Sequence, residues 1–464
     1  MEKELELIVV GSGPGGLSAA LEAAQASVQV TILDAYPTPG GQYFRQPPER
    51  LTNESNAHQR QGQALWRKVQ AAGVKIVSNT LVWGGSPDKT LVCSNSQGTG
   101  KVKAQAIILA SGAYERPVAF PGWTLPGVLM TGGAQALLTQ HILPGKRVLL
   151  AGTGPLQMVV AKKLLDAGTE VAAVLEGSQI LVKGMRHAAA LWGQWERLSE
   201  GASSLASMLS KGVPYRTGWG ILAAHGSKEV EGATIARLDK DWRPIPGTEQ
   251  EIECDTVCTG YGFVPFNALS KVIGAKQTWR FELGGEVPER DETMQTSIAG
   301  IYAAGDGGGI GGVRMSMIEG RIAGRAAALQ LGFWKGNMGA FLREIAPQMR
   351  GERAFQRVYA DLFNPGPGAF ELAKDDTLVC RCEGVTYERV RQAVDLGAAS
   401  LAEVKSITRT GMGECQGRMC GHQIMHLVSQ LTEKSLEEVG SYSARPPIFP
   451  LPLSLLSQEA GQLL

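Results

Sequence analysis

Four of the chain's seven cysteines stand in two close pairs near one end, Cys380 and Cys382 in "CRC", Cys415 and Cys420 in "CQGRMC". Thiolates grouped in fours hold metal, and by count they suit a [2Fe–2S] cluster or structural zinc equally well. Spacing leaves that choice open. Near the other end, "GSGPGG" sets Gly11, Gly13 and Gly16 in the G-x-G-x-x-G pattern, with Ser12, Pro14 and Gly15 between and beside them. In such a loop the first glycine makes the tight turn, the second admits a pyrophosphate to the backbone and the third lets helix and strand pack closely. Asp34 lies where an acidic side chain takes a ribose hydroxyl.

These residues need elements to hold them. "LELIVV" reads as a buried parallel strand, "LSAALEAAQAS" as the helix whose N-terminus faces the phosphates, and "VQVTILD" as the second strand. "KRVLLAGTGPLQMVVAKKLLDAGTEVAAVLE" repeats the plan, with Gly152 and Gly154 in register and Glu176 as the acid. Gln157 takes the third glycine's place, where a long side chain opposes close packing, so NAD(P) binding here stays open. Between the cysteine pairs, one helix is expected after Thr386 up to Gly397. A second opens with Ser400 and Glu403 in capping-box spacing and runs to Gly411, and "GHQIMHLVSQL" follows Cys420. The helices would bring both thiol pairs to one end of a small bundle. His422 and His426, four apart on the last helix, are expected near the metal's ligands or at the surface. Cys254 and Cys258 are expected to be buried structural thiols.

Further motifs carry a resemblance. "GIYAAGDGGG", with Gly305 and Asp306, resembles the second FAD motif of two-dinucleotide-domain flavoproteins, whose aspartate bonds the ribityl chain. "AIILASGAYERP", with Ser111 and Gly112, resembles that family's crossover out of the FAD domain, and "GGQY", with Gly41 and Gln42, its loop beside the flavin. Val82 joins the expected cofactor-binding set. "CRCEGVT" with "TRTGMGECQGRMCG" resembles the helical [2Fe–2S] domain related to bacterioferritin-associated ferredoxin, which favours iron–sulfur over zinc.

Composition sets bounds on the rest. The 464 residues carry 45 Lys plus Arg against 44 Asp plus Glu, a formal charge of +1, so no basic field recruits nucleic acid. No segment reaches the roughly 18 apolar residues of a membrane span. The opening "MEKELELIVV" lacks a signal peptide's zones, so a cytoplasmic protein is expected, with peripheral membrane attachment through a complex left open. The expected architecture is α/β: a Rossmann-like FAD-type domain from residues 1–118 and 288–335, and an inserted NAD(P)-like domain over 119–287. A linker or helical connection over 336–376 with a Pro/Gly-rich hinge at 361–376, a small helical [2Fe–2S] domain over 377–440 and a proline-rich tail over 441–464 complete it.

Over nearly its full length the sequence resembles the α-type subunits of multi-subunit amino-acid and opine dehydrogenases. That group includes the A subunit of opine oxidase, the α subunit of D-hydroxyproline dehydrogenase and the larger flavoprotein subunit of hydrogen cyanide synthase. The stretches that carry this are "GAYERPVAFPGWTLPGVLMTGGAQALL", "AAGDGGGIGG" and "ARPPIFPLPL". The resemblance implies an oxidoreductase whose separate β flavoprotein subunit oxidises a C–N bond to an imine. It also implies FMN at the contact between subunits and, in some relatives, a further small subunit. The N-terminal cleft would hold FAD, or ATP or NAD in its place. It places no substrate-oxidising residue on this chain. A reduced flavin carries two electrons and a [2Fe–2S] centre accepts one, so their pairing suits a converter between the two. The competing expectation is a self-contained NAD(P)H-dependent reductase that passes electrons through the cluster.

Overall fold

The strand Leu5–Val10 is central to a sheet in which Val30–Leu33, Lys75–Val77, the end of Gly98–Leu109 and Ile301–Ala303 all run parallel. Its last four residues are buried, as a strand covered by helices on both faces must be. The computed structural model describes residues 4–46, 56–187 and 195–457. Contacts divide the chain into two units: Met1–Tyr114, Val264–Gln356 and Ser443–Leu464 form the first, Glu115–Phe263 and Arg357–Tyr442 the second.

In the first unit the helices Pro14–Gln25 and Gly312–Gln330 lie against each other over a core of Leu7, Val9, Ile32, Ile108 and Ile322. Opposite them an antiparallel meander, Leu81–Gly85, Thr90–Asn95 and the start of Gly98–Leu109, extends the sheet. The proline-rich tail lies on this unit: Ile448 is buried, its N–H donates to Trp83 O at 3.0 Å, and the Phe449 and Phe266 rings are 5.3 Å apart.

The second unit repeats the plan. Parallel strands Val128–Met130, Thr256–Gly260, Arg147–Gly152, Glu170–Glu176 and Tyr215–Thr217 stand in that spatial order, with the helix Pro155–Asp166 after the second glycine loop. A three-stranded antiparallel sheet, Trp219–His225, Gly232–Arg237 and Gln250–Glu253, follows.

The cysteine segment belongs to the second unit. Its helices are Tyr387–Asp395, Leu401–Thr408 and Gly421–Thr432. The Ser400 hydroxyl accepts from Glu403 N at 3.3 Å, as the sequence spacing requires, whereas the Thr386 side chain makes no cap bond. The second helix ends before Gly411, because Arg409 itself turns left-handed and its N–H closes on Lys405 O.

The Pro/Gly-rich stretch is not an open hinge. Pro367–Phe370 forms a short 3-10 helix, Phe370 is 1% exposed, and Glu371 makes a two-pronged ion pair with Arg243 at 2.7 Å for each bond. Gln423, from the last cysteine-flanked helix, donates to Phe370 O at 3.1 Å and accepts from Ala119 N at 3.2 Å. Composition signals loop there, but a buried aromatic and satisfied main-chain groups dock it. Among the described residues no helix is long and apolar enough to cross a membrane.

Phe370→Ala should cost about 3–5 kcal/mol in chemical denaturation. A loss under about 1 kcal/mol, within the ordinary range of surface substitutions, would show that the stretch is not part of the core.

Candidate functional site

The first cleft assembles at the carboxyl ends of the first unit's parallel strands. Gly11 follows the central strand and sends its N–H to Leu33 O at 2.8 Å. The chain then turns so tightly that a methyl group on Gly16 would lie 1.9 Å from Gly11 O. Gly13 is the N-cap of the helix Pro14–Gln25, no side chain caps it, and its first turn holds no acid. That leaves the main-chain donors of a helix N-terminus for an anion, the arrangement a pyrophosphate uses. Asp34 is buried at the end of its strand and accepts from Ser12 N and Oγ and, at 2.7 Å, from Tyr36 N. Gly40 N donates to Ser12 O at 2.9 Å, which lays Gly41 across Gly13. Gln42 reaches outward, donating to the Tyr36 hydroxyl at 3.1 Å and accepting from Arg45 at 2.7 Å.

The second half of the cleft comes from the far end of the unit's sequence. A methyl on Gly15 would sit 3.6 Å from the Gly305 Cα, so the Gly-Asp turn abuts the glycine loop. Asp306 is half-buried and accepts from Gly311 N at 2.9 Å and Gly312 N at 3.0 Å, at the start of the helix Gly312–Gln330. Burial pushes its carboxyl above the ordinary range, Glu319 adds to that, and the two N–H groups oppose it. Ser111 donates to Phe266 O at 2.6 Å and lies with Gly112 beside Gly307. Val82 is placed differently: its side chain is buried in the core with Ile8, Leu91 and Leu109, so only its main chain is available to a ligand.

The second glycine loop has the same outline and a different content. Glu176 accepts from Gly154 N at 2.8 Å and Ser178 N at 2.9 Å, as Asp34 does in the first cleft. Burial raises its carboxyl to about 7 against the pull of these donors. Gln157, 1% exposed, lies inside the fold; in the amide orientation that satisfies both ends it accepts from Thr153 N at 2.7 Å and donates to Leu175 O at 3.3 Å.

The four cysteines meet in the second unit. Cys380 and Cys420 are buried, Cys415 is half-buried and Cys382 is exposed. The Cys420 thiol lies between Cys380 and Cys415, and Cys415 also meets Cys382. Hydrogen bonding from Cys420, with the N–H groups of Gly411 and Glu383, draws Cys380 down to about 6. Cys420, with the N–H groups of Met419 and Gly417, draws Cys415 to about 5, and Cys420 itself is raised by its two neighbours. Main-chain donors aimed at sulfur are what thiolate ligands require. Among the described residues no three or more His, Cys, Asp or Glu side chains converge on one metal-ion position. A binuclear cluster divides its four cysteines between two irons, which the run of contacts from Cys380 through Cys420 and Cys415 to Cys382 suits. The backbone around them is fitted to the Tyr442 ring, which a methyl on Gly417 would meet at 2.5 Å.

His422 and His426 are half-buried, with His422 two residues beyond Cys420. The His426 ring stacks on Phe370 at 3.8 Å and 4°, with His422 4.7 Å from His426. Burial draws His426 down to about 3 and His422 well below its ordinary value, with Arg116 adding to both. They pack the helix as neutral rings. Cys254 and Cys258 are buried, and burial lifts their thiols to about 11 and 12.

Residues 5–320 match the family described as pyridine nucleotide-disulphide oxidoreductase. The chain belongs to that family. It is an oxidoreductase with the family's pair of dinucleotide-binding folds, and the match indicates a flavin or NAD(P) ligand. Residues 378–430 match the BFD-like [2Fe-2S] binding domain, which indicates a [2Fe–2S] cluster on the four cysteines' segment. Hydrogen cyanide synthase subunit HcnB of Pseudomonas protegens is 32% identical over 474 residues, 99% of each chain. The A subunit of opine oxidase from Rhizobium meliloti (strain 1021) is 32% identical over 459 residues, 97% of each. Among solved structures, L-proline dehydrogenase from P. horikoshii superimposes with a TM-score of 0.71 at 19% identity, over 98% of this chain and 80% of that one, which establishes the fold alone.

Within the family fold, two positioning groups escaped sequence reasoning. Glu319, 7% exposed, accepts from Gly305 N at 2.9 Å and from Arg290 at 2.8 Å, fixing the Gly-Asp turn through a buried ion pair. Glu115 accepts from Gly132 N at 2.8 Å at the start of the helix Thr131–Thr139, and its other oxygen has no hydrogen-bond partner. Both are lone acids in sequence, and only their surroundings single them out.

Burial raises the Glu115 carboxyl from 4.5 to about 7. The folded chain therefore keeps this proton to higher pH than the unfolded chain, and stability falls as pH climbs between those values. Glu115→Gln should be more stable than the parent at pH 8, by about 1–3 kcal/mol. In calorimetry the gap should close at acid pH; an equal gap at both would remove Glu115 as the cause. For the cysteines, the purified chain should yield iron and acid-labile sulfide in equal amounts, and Cys420→Ser should lose both. One zinc and no sulfide would overturn the cluster assignment.

Proposed function

We propose that the chain is the electron-transfer α subunit of a multi-subunit flavin and [2Fe–2S] dehydrogenase. Its partner, a β flavoprotein subunit, oxidises the C–N bond of an amino acid, imino acid or opine to an imine. One observation carries the reading: a two-part dinucleotide cleft and a four-thiol [2Fe–2S] domain share one chain that aligns almost end to end with HcnB and with the A subunit of opine oxidase.

In this reading FAD, or ATP or NAD in the same cleft, lies with its pyrophosphate on Gly11, Ser12, Gly13, Pro14, Gly15 and Gly16. A ribose hydroxyl meets Asp34. Gly41 and Gln42 border the ring end, Ser111, Gly112, Gly305 and Asp306 border the ribityl chain, and Val82 contributes its main chain. A bound flavin would supply a two-electron store and a [2Fe–2S] cluster a one-electron acceptor. Cys380, Cys382, Cys415 and Cys420 hold the cluster, and the exposed Cys382 marks its solvent side. FMN at the contact with the β subunit, a further small subunit, and the domain limits drawn from the sequence belong to the same proposal. So does a cytoplasmic location, attached to the membrane, if at all, through the complex.

The chain's own residues bind and orient, and no substrate-oxidising residue is assigned to it. Gln157, buried where a third glycine would stand, weighs against the self-contained NAD(P)H reductase.

The isolated chain should oxidise imino acids or opines at no more than a few per cent of the rate reached on co-expression with its β partner, measured as dye reduction. Full activity of the chain alone would end this division of labour, and rapid anaerobic bleaching of its flavin by NADH would establish the reductase.

A further inference from the structure

The two glycine loops invite a residue-by-residue comparison inside the molecule. In the first unit Asp34 receives a loop N–H and its carbonyl accepts Thr80 N at 2.8 Å; in the second Glu176 receives a loop N–H and its carbonyl accepts Gly218 N at 2.7 Å. Val82, two residues beyond Thr80, therefore corresponds to Gly220. A dinucleotide with phosphates on Gly152–Gly154 and a ribose on Glu176 must set its base beyond the ribose, against Gly177 and Gly220.

That place is filled by the chain itself. The Trp242 indole lies on Gly177, where a methyl group would meet the ring at 2.4 Å, and Gly366 covers the ring from another side, with a methyl there 2.6 Å away. Leu238 lies against Gly220, 2.9 Å from where its methyl would be. The cavity left among Gly152, Gly220, Leu238, Trp242, Tyr261 and Ala369 is about 10 Å³, about one water and far below a nucleotide site. The Tyr359 hydroxyl stands 3.1 Å from a methyl built on Gly154, on the approach to the loop. Trp242 has φ +69°, an uncommon backbone for a bulky residue, and it is held there by a turn in which Asp239 accepts from Asp241 N, Trp242 N and Arg243 N.

We propose that the second dinucleotide crevice is closed by Trp242, set between Gly177 and Gly366 in the place of a nucleotide base, and serves as the socket that fixes the cysteine-bearing helices instead of taking NAD(P). Gly368 N donates to Asp241 O at 2.9 Å, Arg243 clamps Glu371, and Phe370 joins Val118, Leu238, Trp242 and Tyr261 in one apolar cluster. Gln423 then ties the helix after Cys420 to Phe370. The family's nicotinamide site is thereby converted into a mounting. This stands whatever substrate the partner subunit oxidises.

Photolabelling of the purified full chain with 8-azido-NAD and 8-azido-ATP, followed by peptide mapping, tests the closure. Label should be absent from the peptides carrying Gly177 and Trp242; specific label on either, competed by unmodified nucleotide, overturns the proposal. Label on the peptides of Gly11–Asp34 reports the first cleft separately. Trp242→Ala tests the socket: amide exchange over residues 366–372 should quicken at least tenfold and bound iron should fall by half or more, with Trp242→Phe restoring most of both. If Trp242→Ala does not fold, Arg243→Ala at the clamp should speed the same exchange at least threefold. Unchanged exchange and iron in the folded variants overturn the socket.

Discussion

The close crossing of two helices in the first unit is the constraint on which its nucleotide cleft depends. A methyl on Gly320 would lie 2.1 Å from Gly15 O, and one on Gly324 2.3 Å from Ala19 O, so the helix Gly312–Gln330 rests directly on the backbone of Pro14–Gln25. Side chains of ordinary size would hold such axes 8–10 Å apart. The small-residue contact lets the glycine loop before one helix and the Gly-Asp turn before the other share a single cleft. Buried Glu22, pairing with Arg325 and, at 3.3 Å, with Arg321, fixes the register of the crossing. The Arg290–Glu319 pair does the same for the Gly305 turn. Breaking such buried pairs leaves an uncompensated charge, so they hold geometry more firmly than exposed pairs do.

The second unit shows how one backbone plan comes to do something else. Its strand order, glycine loop and acid match the first closely, and a third-glycine exchange is the only local sign of change. The physical difference lies in what fills the crevice: an indole, an amide and a phenol from the same chain. Burying an aromatic side chain there adds apolar contact and leaves main-chain donors satisfied internally. The same filling provides the surface on which residues 366–372 settle.

Much of the local geometry was legible in sequence because it depends on neighbouring residues. Gly11 to Gly16 with Asp34 span one strand–loop–helix–strand unit, and each Cys pair spans a single turn, so spacing alone sets what the backbone can present. The capping of Leu401–Thr408 by Ser400 was equally legible. Trp242, Phe370, Gln423, Glu319 and Glu115 were not, because each acts through a partner distant in sequence. The Pro/Gly run at 361–376 misled for the same reason: its composition reports local flexibility, while its docking depends on Arg243 and Trp242. His422 and His426 had metal-ligand spacing, yet their rings pack on Phe370 and on each other, beside Arg116.

What the sequence by itself determined is the inventory: two glycine loops with their acids, a Gly-Asp turn and four thiols in two pairs, each encoded within a few residues by backbone and side-chain chemistry. Tertiary structure alone decided which of these form a site. It joined Gly15 to Gly305 through a helix crossing that only small residues permit, brought the thiols Cys380, Cys382, Cys415 and Cys420 together, and set Trp242 on Gly177. Those outcomes depend on which surfaces meet, and packing between remote segments is a property of the whole fold, which residue spacing does not carry.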